Sequence, residues 1–315
     1  MFRQNVLLKD YSRYQIGGPA AYFLEVSTKK ELLVGLKDWR KLSAKFSPEK
    51  RKIYVLGAGT NLLINEKGFD GLVIHNRIGG IEKRGEEIIV GSGVILADLL
   101  DFCIANSLSG LEWAGGLPGT VGGAVRGNAG AFGGETKDSV KEVQSLNLDT
   151  LEEKSRDKWE CAFAYRYSIF KTEETKDEMI LSVVLSLKNG QQSAIKNSIQ
   201  EKIDYRNQKH PMEYPSIGST FKNVNVDKVP EKLRETLAPS IKIDPFPVIP
   251  AAKFLILAGV KGKKIGNAQI AEKHPNFIIN LGSAKSDDVK ALISFAKEKV
   301  QKKFNVTLEE EIIYL

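Results

Sequence analysis

The chain has 315 residues, a length that suits two domains. Hydrophobic residues make up 42% and charged residues 27%, which fits a globular protein and excludes a disordered one. The net charge is +7, but basic residues alternate with acidic ones, as in Glu201-Lys202 and Lys297-Glu298-Lys299. That pattern reads as solvated surface and not as a nucleic-acid-binding face.

The longest apolar stretch, Ala251 to Val260, is short and carries Lys253, so no membrane span is expected. Residues Met1 to Asp10 lack the apolar run of a signal peptide, and the expected location is the cytoplasm. Two cysteines, Cys103 and Cys161, exclude a disulfide scaffold. His75, His210 and His274 show no metal-ligand spacing, so no metal site is expected.

In chain order, Ala20 to Val26 and Lys52 to Leu56 have the β-branched and aromatic content of strands. Between them Thr28-x-x-Glu31 reads as a capping box opening a helix whose Leu32, Leu36 and Trp39 recur at helical spacing. Strands follow at Leu72 to His75 and Ile88 to Val90. A helix then carries Leu96, Leu99, Leu100, Cys103, Ile104 and Leu108, stopped by Ser109-Gly110. Ten of the 28 glycines lie between Gly110 and Gly134. Strands are expected at Val143 to Leu148 and Met179 to Leu187. A helix bearing Ile195, Ile199 and Ile203 ends before Pro211, and Pro250 opens a short helix that Gly259 ends. Asn276 to Leu281 reads as a strand. Ser286, followed by Asp287 and Asp288, caps a last helix with Val289, Leu292, Ile293, Ala296 and Val300 on one face. The order is α+β and not an alternating βα series. The main boundary is expected near Lys188 to Gln191, giving domains 1–190 and 191–315, the first divided near residue 76.

Two segments carry glycine where chemistry is suspected. In Gly57-Ala58-Gly59-Thr60-Asn61-Leu62-Leu63, two glycines let successive N–H groups face one point, as a diphosphate cradle or a plain tight turn would. Leu62 stands where a Rossmann fingerprint needs its third glycine. The stretch from Gly115 through Gly134 exposes main chain to a large flat ligand, while Leu117, Val121, Val125 and Phe132 are spaced as core anchors and argue against a flexible linker.

Five motifs, the two glycine segments counted as one, occur in order along the chain. They are Tyr11-Ser12-Arg13-Tyr14-Gln15-Ile16-Gly17-Gly18-Pro19-Ala20; the two glycine segments; Ala162-Phe163-Ala164-Tyr165-Arg166-Tyr167-Ser168-Ile169-Phe170-Lys171; Lys209-His210-Pro211 with Pro215-Ser216-Ile217-Gly218-Ser219-Thr220-Phe221-Lys222-Asn223; and Phe304 with Leu308-Glu309-Glu310-Glu311-Ile312. Together they resemble the UDP-N-acetylenolpyruvoylglucosamine reductase (UDP-N-acetylmuramate dehydrogenase) family over nearly the whole chain. The 33 residues between Lys171 and Tyr205 are similar to its shorter subtype, which lacks an inserted tyrosine loop.

This resemblance implies a two-part FAD-binding domain of the vanillyl-alcohol-oxidase (PCMH) type and a smaller α+β C-terminal substrate domain. It implies bound FAD and NADPH as co-substrate. The enolpyruvyl group of UDP-N-acetylenolpyruvoylglucosamine would be reduced to UDP-N-acetylmuramate for peptidoglycan synthesis, with hydride passing from flavin N5 to the β-carbon. It also implies a monomer with neither nucleic-acid nor membrane partners. FAD contacts carry over to Gly57, Ala58, Gly59, Thr60, Asn61, Leu62, Leu117, Pro118, Gly119, Thr120, Gly122, Gly123 and Gly130. Substrate contacts carry over to Tyr165, Lys209, Lys222 and Asn223, and catalysis to Arg166, Ser219 and Glu311.

The chemistry gives each catalytic group a task. Hydride addition beside a carboxylate builds negative charge that positioned donors must hold, and Arg166 offers a planar, permanently charged fork. Ser219 would protonate the α-carbon, and a nearby cation must then steady its alkoxide; Lys222 is the sequence-level candidate. Glu311 would share a proton with the developing enol oxygen or orient Arg166. Departures from the family pattern include Ala58, Thr60, Val224, Ile256, Asn267, Pro275 and Ile313. Tyr167 replaces an Asp and removes a partner for Arg166. Two other readings are a flavin oxidase on the same scaffold and a non-catalytic nucleotide-sugar or RNA-binding module.

Overall fold

The computed structural model describes residues 1–243 and 246–315. They form two compact units. Met1–Val6, Ala20–Ala58 and Phe69–Tyr205 make the first; Leu7–Pro19, Gly59–Gly68 and Arg206–Leu315 make the second.

The first unit has two sheets. In the smaller, Pro19–Val26 and Ile53–Leu56 both run parallel to Phe69–Asn76, with Arg3–Leu7 at the edge. Helix α1 (Lys29–Ser43) begins where the Thr28 hydroxyl accepts the Glu31 N–H at 3.1 Å. The Glu31 carboxylate reaches back to the Ser27 N–H, one residue earlier than in a standard capping box. Its buried stripe, Leu32, Leu36 and Trp39, packs with Leu24, Val26, Leu72 and Ile74. The larger sheet is antiparallel, in the order Glu153–Asp157, Val140–Asn147, Glu178–Ser186, Glu87–Gly91, Ile81–Arg84. Its core includes α2 (Leu96–Ala105) and α3 (Val121–Gly127).

Helix α2 ends at Ala105, three residues before the periodicity does. The Asn106 side chain donates back to the Phe102 carbonyl and Ser107 takes a φ of 56°. Leu108–Ser109 then leaves as a strand pairing with Lys188–Asn189. The Lys188 to Gln191 stretch is thus a strand and its exit, not a linker. Helix α4 (Gln192–Lys209) buries Ile195 and Ile199 in the first unit's core. The division accordingly falls at Tyr205 and not at 190.

The second unit is built on α5 (Glu231–Leu237), α6 (Ala251–Leu257) and α7 (Ser286–Phe304), with a three-stranded antiparallel sheet Lys264–Ile265, Ala268–Ile270, Ile278–Asn280. Two N-terminal segments join it for identifiable reasons. The buried Tyr14 donates its hydroxyl to the Ile278 carbonyl at 2.8 Å, and Asn280 donates to the Tyr14 carbonyl. Burial pushes the Tyr14 hydroxyl pKa up, so it stays protonated as a donor. The Glu66 carboxylate accepts both the N–H and the hydroxyl of Ser286, at 2.5 and 2.6 Å. Ser286 is therefore not the cap expected of it. Lys285 stands at the N-cap, and the Asp288 carboxylate accepts its N–H.

One ion pair in the antiparallel sheet is deeply buried. Arg156 grips Glu178 with two hydrogen bonds of 2.7 Å, their side chains 9% and 3% exposed. Burial alone would raise the Glu178 pKa, but the Arg156 and Ser145 hydrogen bonds override it and hold the carboxyl below its ordinary value. Arg156→Ala, measured by urea unfolding, is expected to cost about 3–5 kcal/mol. A carboxyl held below its unfolded value stabilises fully above the ordinary glutamate range and loses that contribution as pH falls. The cost of the substitution should therefore shrink in acid.

Candidate functional site

The first glycine loop is shaped by close approaches. A Cβ at Gly57 would stand 2.8 Å from the Thr120 hydroxyl, which joins the two sequence-predicted loops in the first unit. Gly59, in the second unit, has a φ of 60°, and its Cβ would run into the Tyr11 carbonyl. Its own carbonyl accepts the Arg13 N–H at 3.1 Å. The opening Tyr11 to Tyr14 motif is thus packed on this loop.

The second glycine segment contains a helix that the sequence did not announce. Thr120 caps α3 by accepting the Gly123 N–H, and Asn128, in left-handed conformation, closes it. Gly122 packs on Ser92. The N–H groups of Leu117, Val121, Gly122 and Ala124 go to the carbonyls of Ala114, Val94, Ser92 and Thr120. Fewer donors therefore face a ligand than a bare glycine run suggests. Gly119 holds a φ of 134° before Thr120, with Pro118 preceding it. Gly127 has open space where a side chain would lie, and Gly123, one turn away, meets only the Thr120 hydroxyl at 3.4 Å.

Arg166 sits on a closed turn. Ala164 and Tyr167 exchange both backbone hydrogen bonds at 3.0 Å, and Arg166 takes a φ of 55°, a conformation uncommon for side chains of this size. Its guanidinium donates to the Gly130 carbonyl at 2.9 Å and lies 5.1 Å from the Tyr165 ring centre. Lys171 donates to the Arg166 carbonyl, and Asn128 to that of Ala164. A glycine at 130 is required, because a Cβ there would meet Glu135 Cγ at 2.7 Å and the Gly134 carbonyl at 2.8 Å. Arg166 is thus oriented without the Asp that Tyr167 replaces.

In the second unit three distant segments meet. Ser219 bridges Phe277, and the Thr220 and Phe221 N–H groups go to Asn276, through its carbonyl at 2.7 Å and its side chain at 3.0 Å. On the other side, Phe221 bridges Glu310, Lys222 N–H donates to the Glu309 carbonyl, and Glu311 N–H donates to the Thr220 carbonyl at 2.9 Å. The Glu311 carbonyl in turn accepts the Asn61 side chain at 3.0 Å. Leu62–Leu63 runs parallel to Ile313–Tyr314. The segments that bear Asn61, Ser219 and Glu311 are thus brought together; Arg166 belongs to the first unit.

Neighbouring acids are engaged elsewhere. Glu309 lies 2.6 Å from Lys228 and 3.6 Å from Lys222, the Lys228 contact holding its carboxyl below the ordinary range. Glu310 pairs with Lys297 at 2.7 Å and accepts from the Tyr314 hydroxyl. The Lys222 charge thus faces Glu309. Asn223 accepts the Ala251 N–H at the start of α6 at 3.4 Å, and Lys209 is exposed in the last turn of α4. Behind Ser219, the His210, His274 and Phe277 rings pack with centres 4.9–5.1 Å apart. Burial pushes the His210 pKa down to about 4 and also lowers that of His274, so both imidazoles are neutral near pH 7. Sequence reasoning did not connect them, although each sits in a Lys-His-Pro triplet, Lys209-His210-Pro211 and Lys273-His274-Pro275.

Among the described residues, no cluster of three metal-ligating side chains occurs and no helix is long and apolar enough to cross a membrane. The bare main chain at Gly123 and Gly127 beside the Gly57–Thr120 contact fits a flat dinucleotide. A family profile described as "FAD binding domain" matches residues 37–150, and the protein is an FAD-binding oxidoreductase of α+β fold. A second profile, "UDP-N-acetylenolpyruvoylglucosamine reductase, C-terminal domain", matches residues 210–315. The enzyme of that name from Caldanaerobacter subterraneus subsp. tengcongensis is 35% identical over 313 residues, covering 98% of this chain and 91% of the relative. That from Thermotoga maritima is 39% identical over 259 residues, 82% of each. The crystal structure of the Thermus caldophilus enzyme superposes with a TM-score of 0.75 at 30% identity, covering 100% of this chain and 99% of that one. This chain belongs to the UDP-N-acetylenolpyruvoylglucosamine reductase family.

The Ser219 segment depends on Asn276, whose amide both accepts from Phe221 N–H at 3.0 Å and donates to its carbonyl at 2.9 Å. Asn276→Ala would leave two buried main-chain groups unpaired, and chemical denaturation should register a loss of about 2–4 kcal/mol. Asn276→Asp keeps an acceptor for the Phe221 N–H but sets a buried carboxylate oxygen against the Phe221 carbonyl, and should cost at least as much.

Proposed function

We propose that this protein reduces the enolpyruvyl group of UDP-N-acetylenolpyruvoylglucosamine to give UDP-N-acetylmuramate for bacterial wall synthesis, with NADPH as electron donor. It would act as a monomer in the cytoplasm. Bound FAD would supply the hydride chemistry that links NADPH to the enolpyruvyl β-carbon. Gly57, Ala58, Gly59, Thr60, Asn61 and Leu62, with Leu117, Pro118, Gly119, Thr120, Gly122, Gly123 and Gly130, would hold it.

The observation that carries the reading is the hydrogen bond between the Glu311 N–H and the Thr220 carbonyl, which sets Glu311 beside the segment that bears Ser219. Ser219 delivers the proton to the α-carbon. Glu311 shares a proton with the enol oxygen. Arg166 holds the charge that grows on the substrate carboxylate, with Tyr165 beside it; Lys209, Lys222 and Asn223 contact the nucleotide sugar. The closed turn and the Gly130 contact support this role, because an arginine already fixed needs little reorganisation as charge appears.

Purified protein should be yellow and release flavin on denaturation. Rapid mixing separates the two half-reactions. Ser219→Ala should leave flavin reduction by NADPH near the wild-type rate and slow reoxidation by the enolpyruvyl sugar by about 10²–10⁴-fold. Equal loss in both halves would point to a flavin-binding defect and against the role given to Ser219.

A further inference from the structure

We propose that Asn61 is a positioning residue whose side chain couples occupancy of the flavin loop to the placement of Glu311. The proposal rests on the reading above for the flavin loop and for the role of Glu311. Asn61 lies in the loop assigned to the flavin diphosphate, yet its side-chain amide donates to the Glu311 carbonyl at 3.0 Å, and its own carbonyl accepts the Ile313 N–H at 3.1 Å. Two bonds from one residue thus bracket the main chain on both sides of Ile312. The Glu311 N–H is already engaged with Thr220 at 2.9 Å, so the Glu311 residue is held between the flavin loop and the serine segment.

The geometry has a thermodynamic consequence. A ligand that orders the main chain of Gly59 to Leu62 lowers the cost of ordering whatever that main chain holds, and two sites that share an ordering cost are coupled without any change of shape. The parallel pairing of Leu62–Leu63 with Ile313–Tyr314 extends the same connection toward the end of the chain, where Leu315 N–H donates to the Leu63 carbonyl at 3.0 Å. The side chain of Asn61 is the part of this connection that substitution can remove without touching the main-chain bonds.

Amide hydrogen exchange by mass spectrometry on the full chain, with FAD bound and with FAD removed, tests this without substrate. FAD should slow exchange of the 309–315 segment by about tenfold, the worth of one hydrogen bond, in the wild-type protein. In Asn61→Ala, which keeps the loop's main chain for FAD, the slowing at Glu311 and Ile312 should fall below about twofold, while Ile313 and Leu315 keep their main-chain bonds. Asn61→Asp, which keeps the volume and lacks the donor, should behave alike. No FAD-dependent protection in the wild type, or undiminished protection in both variants, would overturn the proposal. So would failure of both variants to bind FAD, because the side chain would then serve the flavin itself. A protein that shows the coupling but does not reduce the enolpyruvyl sugar would sink the functional reading and leave this one standing.

Discussion

The main chain of Glu311 is held from both sides, its N–H by the Thr220 carbonyl and its carbonyl by the Asn61 side chain. Those partners lie far apart in the sequence, and contacts within the second unit keep them there. Asn276 fixes the serine segment from behind through Phe221. Glu66 fixes the chain just after the first glycine loop to the start of α7. The loops are thereby replaced by a short ladder of hydrogen bonds, and side chains on a ladder hold their directions better than side chains on free loops.

The first unit prepares its own group by a different device. Arg166 occupies a left-handed conformation at a closed turn, and its guanidinium lies against Gly130 and the Tyr165 ring. Backbone strain of this kind persists only where surrounding contacts over-determine it, and it gathers at functional positions. Here the contacts are Asn128 on the Ala164 carbonyl and Lys171 on the Arg166 carbonyl. The Asp that Tyr167 replaces is therefore not needed to aim the arginine.

Much of this was legible in advance, for reasons that differ by residue. Regular periodicity marked α1 and α7, because burial of one face dictates both pattern and structure, and β-branched and aromatic content marked the first strands. The family motifs brought Asn61, Ser219 and Glu311 into consideration long before any geometry linked them. What escaped was set by long-range contact. Nothing local says that Ser286 binds Glu66 and not its own helix, or that residues 7–19 and 59–68 belong with the C-terminal unit. The helix at Val121–Gly127 was hidden because three of its seven residues are glycine, poor helix formers that tertiary packing overrides. The paired imidazoles of His210 and His274 were hidden because 63 residues separate them.

The central claim is that Ser219 and Glu311 act together on one reacting group. A double-mutant cycle on the rate at which the enolpyruvyl sugar reoxidises the reduced flavin tests it most directly. Groups that serve one proton transfer lose most of their joint effect when either is removed. The account predicts that Ser219→Ala combined with Glu311→Gln is slower than the worse single variant by less than about tenfold. Losses that simply multiply would mean that the two side chains act independently, and the account would fail.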